Sequence, residues 1–374
     1  MFHKKPMIMK TTDIKSIIRM PLLGITFLLI SSIGFFSVSG CQPDNNKEVL
    51  KAYELRMEGK VDEALAHIDS LLSVDSTNAL ANFEKYRILW HMVKGGADIP
   101  MKIEEIMAFV EKAALYDPDN VIIAFANAEA SFLKAYMGVG DDKEAVEEIS
   151  RNFGRVLELQ ENHPQAMLYL VEIYSQLPED IGGDPEKAAD YADQLKDINE
   201  YYAAKAELML NEQDELQYWL GYLESHEKTP ELCEDIAAAY IIGDDLVNAE
   251  KYYKEAIALD AERNYLILNM ARYYMYQVMQ QLAPADSVLP IAATYINTYL
   301  ESKPAPNIPM EAYALGMLVK TKMFTGQKEE GAEILEKAKE LDPYFSKASG
   351  LPGVSEFEPP DSIKPRYSSF FKPF

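Results

Sequence analysis

Pro230–Arg263 reads PELCEDIAAAYIIGDDLVNAEKYYKEAIALDAER, and the pattern of this stretch decides the fold. In its first half Cys233, Ile236, Ala237 and Tyr240 recur at helical spacing and make one apolar face. Gly243-Asp244-Asp245 then breaks the run, because glycine and short acidic residues favour a turn over a continued helix. A second helix follows, with Ala249, Tyr252, Tyr253, Ala256, Ile257 and Leu259 placed on one face. Ala237, Ala249 and Ala256 are short where two helices must cross, and a short side chain lets the backbones approach. The stretch is therefore a helix-turn-helix hairpin.

The same grammar recurs along the chain. Gly59-Lys60-Val61-Asp62-Glu63-Ala64 leads to Leu71-Leu72-Ser73-Val74-Asp75, and Gly326-Gln327-Lys328-Glu329-Glu330-Gly331 leads to Leu341-Asp342-Pro343. Gly183-Asp184-Pro185-Glu186-Lys187-Ala188 opens another second helix, and Tyr116-Asp117-Pro118 closes one. Internal similarity at a fixed period marks a repeat array, in which each unit buries its apolar face against its neighbours.

These units resemble the tetratricopeptide repeat, a helix-turn-helix of about 34 residues with small residues at its packing positions and Asp-Pro at its end. Eight units begin near Asn45, Ala79, Val121, Pro164, Glu200, Pro230, Asn264 and Pro309, so the resemblance covers roughly residues 45 to 343. It implies an all-α solenoid of about eight helical pairs, about four-fifths helix and far above the globular average. Some units depart from the pattern. Longer inter-helix loops are expected around Gly95-Gly96, Gly138-Val139-Gly140 and Ala283-Pro284-Ala285, and the unit from Glu200 is short and lacks the glycine turn. Leu177–Ala188, LPEDIGGDPEKA, resembles a loop of extracytoplasmic repeat lipoproteins that accompany TRAP-type solute transporters. The same residues also read as a glycine-rich turn before a proline-initiated helix, which needs no partner.

The amino terminus reads as an address. Lys4, Lys5, Lys10, Lys15 and Arg19 precede an uncharged run from Pro21 to Val38, PLLGITFLLISSIGFFSV. A run of that length lies near the lower limit for a membrane-spanning helix, so a retained anchor is one reading. Val38-Ser39-Gly40-Cys41, directly after it, resembles the lipobox of bacterial lipoproteins. That resemblance implies a signal peptide over residues 1–40, cleavage after Gly40, and a Cys41 carrying palmitate-type acyl chains. Three chains exceed the two signals that stable membrane attachment requires. Residues 41–46 then form the lipidated cysteine and a short polar tether, residues 47–343 the repeat domain, and residues 344–374 a tail rich in proline and aromatic rings. Gln42 follows the cysteine where the family uses Asp for inner-membrane retention, which implies the outer membrane of a bacterial envelope, its periplasmic or surface face left open.

Charge narrows the partners. The chain carries 36 Lys plus Arg against 60 Asp plus Glu, a net −24, and an acidic surface repels phosphate backbones, so nucleic acid is not expected as a ligand. The two cysteines, Cys41 and Cys233, form no disulfide framework. His3, His67, His91, His163 and His226 stand in no HExxH pattern, and there is no phosphate loop and no GxSxG elbow. Glu104-Glu105, Glu147-Glu148 and Glu329-Glu330 are adjacent on helices, point about 100° apart and read as solvated faces. Nothing points to an enzyme, a cofactor or a metal.

The candidate functional surface is the concave face made by the first helix of each unit. Projected onto this chain it receives Arg87, Trp90, Glu129, Phe132, Glu172, Arg272, Tyr276 and Lys320, together with Tyr53, Phe83 and Phe125. Rings interleaved with single charges suit recognition of a peptide or helix, where aromatic anchors carry most of the energy. Several of these rings also read as inter-repeat core. In repeats that clamp chaperone carboxyl termini the first helix carries a Lys and an Asn, but Val49 and Tyr53 stand there instead. The expected role is a lipid-anchored adaptor holding a protein partner at the envelope; the alternative is an accessory of a TRAP-type solute-uptake system. The tail, from Tyr344 to Phe374, is expected to cover the last repeat, or to lie in the groove, and to be ordered at least through Phe357.

Overall fold

Proline and short polar residues start most helices where the pattern places turns. Asp184, Asn199, Asp214, Thr229, Asp245 and Asn307 each accept a backbone N–H from the first turn that follows them, satisfying a donor the helix leaves without a partner. His163 fills the same role through its Nδ1, 3.2 Å from Ala166 N. Pro164, Pro185, Pro230 and Pro309 sit in first turns, where a missing N–H costs nothing.

The computed structural model describes residues 43–93, 99–136, 142–211 and 213–347. It is 82% helical, with 16 helices and no strand among the described residues. In chain order they are α1 (Pro43–Met57), α2 (Val61–Val74), α3 (Ala79–Val93), α4 (Ile99–Tyr116), α5 (Val121–Tyr136), α6 (Asp142–Leu159), α7 (Pro164–Gln176) and α8 (Pro185–Ile198). There follow α9 (Glu200–Leu210), α10 (Glu215–Ser225), α11 (Pro230–Ile242), α12 (Leu246–Leu259), α13 (Leu268–Met279), α14 (Ala285–Leu300), α15 (Ile308–Phe324) and α16 (Lys328–Leu341). Successive helices pack as hairpins: α1 with α2, α5 with α6, α7 with α8, α11 with α12, α13 with α14, and α15 with α16. The fold is the all-α helical solenoid that the repeats imply.

Two boundaries differ from the sequence reading. Residues 43–46, expected to be tether, are helical, since a proline at position 43 suits a first turn and the helix propagates back to it. Leu259, placed on the apolar face of α12, is 51% exposed, because α12 ends there and the buried stripe stops at Ala256. The lipobox, Cys41, the apolar run before it and the loops at Gly95-Gly96 and Gly138-Val139-Gly140 lie outside the described residues.

The helices fall into two compact units. Among the described residues, one comprises residues 103–211 and the other joins residues 43–102 with residues 213–347. In the first, Ala128, Phe132, Ile149, Phe153, Ala166, Leu170 and Ile173 interdigitate between α5, α6 and α7. Phe153 stacks on Tyr169 with centroids 4.5 Å apart, and Met167, Val171, Ala192, Leu195 and Ala206 continue the core toward α8 and α9. Gly182 has φ +112, and a Cβ at Gly183 would overlap the Leu177 carbonyl, so the LPEDIGGDPEKA turn requires glycine at both positions.

In the second unit the first hairpin packs on the last. A linear array would bring each repeat against its neighbours alone. Here Tyr344 joins the core of Ala52, Val61, Ala64, Ile68, Ala81 and Ile88, and its hydroxyl donates to Asp62 at 2.7 Å. Gly59, at φ +75, abuts the Leu341 carbonyl, leaving no room for a side chain. His91 at the end of α3 lies 2.6 Å from the Asp342 carboxylate, with both side chains buried. The other Asp342 oxygen accepts the backbone N–H groups of Tyr344 and Phe345, and the Phe345 ring sits 4.2 Å from the His91 ring. Phe345–Lys347 form a single 3-10 turn against α15, where Gly316 faces the Ser346 carbonyl. The remainder of the tail, including Phe357, lies outside the described residues.

Candidate functional site

Six of the eight residues selected from the sequence lie on the first helix of a packed hairpin, and Arg87 and Trp90 lie on α3. Glu129 and Phe132 are on α5 and Glu172 on α7, in the first unit; Arg87 and Trp90 on α3, Arg272 and Tyr276 on α13, and Lys320 on α15 are in the second.

In the first unit the sequence missed the organising residue, Tyr169. Its hydroxyl donates to Glu129 at 3.2 Å, and its ring packs 5.3 Å from Phe132. Phe132 is 1% exposed and belongs to the core. Glu172 follows Tyr169 by three positions, so both occupy one side of α7. Burial pushes the carboxyl groups of Glu129 and Glu172 up to about 7, and the Tyr169 hydrogen bond offsets part of the rise at Glu129. Burial, reinforced by the two carboxylates, holds the Tyr169 phenol well above its ordinary value. A carboxyl group titrating near neutrality donates as well as accepts hydrogen bonds.

In the second unit α1 and α3 bring together a charged cluster walled by rings. The Arg56 Nε donates to Glu84 Oε1 at 2.7 Å, and Arg87 Nη1 lies 3.3 Å from Glu84 Oε2. Both guanidiniums stand 5.2 Å from the centroid of the Tyr53 ring, and Arg87 is also 5.7 Å from that of Phe83. Burial lowers the Arg87 pKa, with Glu84 opposing and the like charge of Arg56 adding to the shift. Trp90, one turn beyond Arg87, is buried and packs edge-on to Tyr86. Arg56 and Glu84 were not singled out in the sequence, and Tyr53, three residues before Arg56, was the nearest signal.

On α13 the Arg272 Nε donates to the Tyr313 hydroxyl at 3.0 Å and Nη1 to Asn269 at 2.6 Å. Tyr276 is half-buried, and burial raises its phenol. Lys320 is 1% exposed inside α15, and burial pushes its ammonium down to about 7.

The described residues include no group of three His, Cys, Asp or Glu side chains able to hold a metal ion, and none of their helices is long and apolar enough to cross a membrane. Cys233 is a buried thiol that burial pushes up to about 11, so it packs as a small hydrophobe. Compared with known proteins, the chain matches no protein-family model and no curated protein sequence.

Proposed function

We propose that this chain is a tetratricopeptide-type bacterial lipoprotein, acylated at Cys41 and anchored in the cell envelope by those acyl chains. Its repeat domain is an adaptor that binds a protein partner and catalyses nothing. The observation that carries this reading is the composition of the first helices. They present half-buried rings beside guanidinium groups, Tyr53 with Arg87 and Tyr313 with Arg272. Rigid aromatic surface flanked by charge suits a peptide or helix, since ring anchors supply contact area with little entropy to lose. The acidic balance of the chain, net −24, fits a protein partner better than a nucleic acid.

Affinity isolation of the acylated protein from detergent-solubilised envelopes, beside Tyr276→Ala and Arg272→Ala variants, tests the reading. A protein recovered in near-equal amount with the native chain and lost with the variants supports it. Recovery unchanged in both variants, or no co-isolated protein, contradicts it.

A further inference from the structure

The cluster of α1 and α3 holds two guanidiniums against a single carboxylate. Glu84 is shared: one oxygen takes the Arg56 Nε, and the other is 3.3 Å from Arg87 in an ion pair without a hydrogen bond. Arg87 donates no hydrogen bond to any described residue, although its side chain is only 15% exposed. Arg56 Nη2 and Trp90 Nε1 are buried donors without a partner. Buried N–H groups are nearly always paired, and a buried guanidinium in excess over carboxylates needs an anion. Two buried donors without a partner, beside a guanidinium held only by an ion pair, are therefore a feature to explain.

We propose that this cluster is a binding site for a carboxylate that bears an apolar group. Arg87 grips the carboxylate, and Tyr53, Phe83 and Trp90 enclose the apolar part. The excess over Glu84 is a single positive charge, which one monoanion neutralises; a phosphate dianion would leave a surplus negative charge in a desolvated place. A planar carboxylate also matches the planar donor fork of a guanidinium. Arg87 and Tyr53 are the half-exposed members and form the entrance, while Arg56, its side chain 7% exposed and bonded to Glu84, fixes the floor. The neighbouring charges are already engaged with one another: Lys85 with Asp69, and Lys60 with Glu58. The carboxylate has two sources with this chemistry, the end of a peptide chain and a free apolar acid. The proposal rests on the reading of the first helices as a recognition surface and names the ligand chemistry of one part of it.

The test is calorimetric titration of the full chain with three probes: N-acetyl-L-phenylalanine, its C-terminal amide and 3-phenylpropionate. Saturable binding of at least one acid, with the amide at least tenfold weaker, is expected. Arg87→Gln should weaken the acid at least tenfold, and Arg87→Lys, which keeps charge but not the fork, should fall between. Binding of N-acetyl-L-phenylalanine alone assigns the source to a peptide end, and binding of 3-phenylpropionate alone assigns it to a free acid. Acid and amide binding equally, neither acid binding, or a folded Arg87→Gln binding as the native chain does would each overturn the proposal. Should Arg87→Gln fail to fold by circular dichroism, the acid–amide comparison on the native chain decides. A failed titration alongside a recovered protein partner overturns the carboxylate site alone; a successful one without any partner overturns the adaptor reading alone.

Discussion

Replacing His91 by alanine should loosen α3 from the end of the last hairpin. The imidazole and the Asp342 carboxylate are 2.6 Å apart, with side chains 4% and 0% exposed, so neither has water to replace its partner. Removing one member of a buried pair leaves an uncompensated charge, which costs about 3–5 kcal/mol. The second Asp342 oxygen keeps its two backbone N–H groups, which places the loss at the low end of that range, about 3 kcal/mol, with a smaller part from the lost His91–Phe345 ring contact. For a unit of this size that corresponds to a fall in Tm of ~6–12 °C. Asp342→Asn in the His91→Ala background should lose less than the two single changes together, since a neutral amide is cheaper to bury. Hydrogen exchange read by mass spectrometry is the assay. Protection should fall in α1–α3 and in α15–α16 alike, although His91 and Asp342 are 251 positions apart in sequence, and should persist in α5–α8. A Tm within ~2 °C of the native value, or loss confined to α3, would refute the claim that this pair joins the ends of the second unit.

Glu172, whose carboxyl is raised to about 7 by burial, should make the first unit less stable as pH climbs. Its unfolded value is near 4.5, so the folded state binds the extra proton between about pH 4.5 and 7; stability falls through that window and levels off above it. Glu172→Gln should therefore raise stability at pH 8 by ~2–3 kcal/mol and flatten the slope, as followed by urea denaturation. Ala256, fully buried where α12 crosses α11, should tolerate no larger residue: Ala256→Leu should cost about 1–3 kcal/mol, and an unchanged denaturation midpoint would show that the crossing lies elsewhere. Cys41→Ala should abolish palmitate labelling and leave an unprocessed precursor; label at the native level would refute acylation at Cys41.

The hairpins were legible because their signals are local. A glycine or aspartate between two apolar stripes marks each turn, and the pattern around Gly243-Asp244-Asp245 places α11 and α12 to within a residue or two. The packing of the first hairpin on the last was not legible, since periodicity carries no information about partners 282 positions away. The candidate residues lie on α3, α5, α7, α13 and α15, but helical spacing does not report depth. Phe132 and Lys320, at 1% exposure, are as buried as the core around them, while Arg272 and Tyr276 stay half-exposed. Arg56 was missed for a related reason: its partner Glu84 lies 28 residues on, in the next repeat, and a long cation on a polar helix looks like ordinary solvated surface.

The adaptor reading is tested most directly by photo-cross-linking in intact cells. A benzophenone side chain placed at Tyr276, on first helix α13, is compared with one at Lys337, whose side chain is 61% exposed on second helix α16. A discrete cross-linked protein from position 276 and none from position 337 is expected. Equal adducts from both positions, or none from position 276 while the protein is present and folded in the envelope, would contradict the adaptor reading.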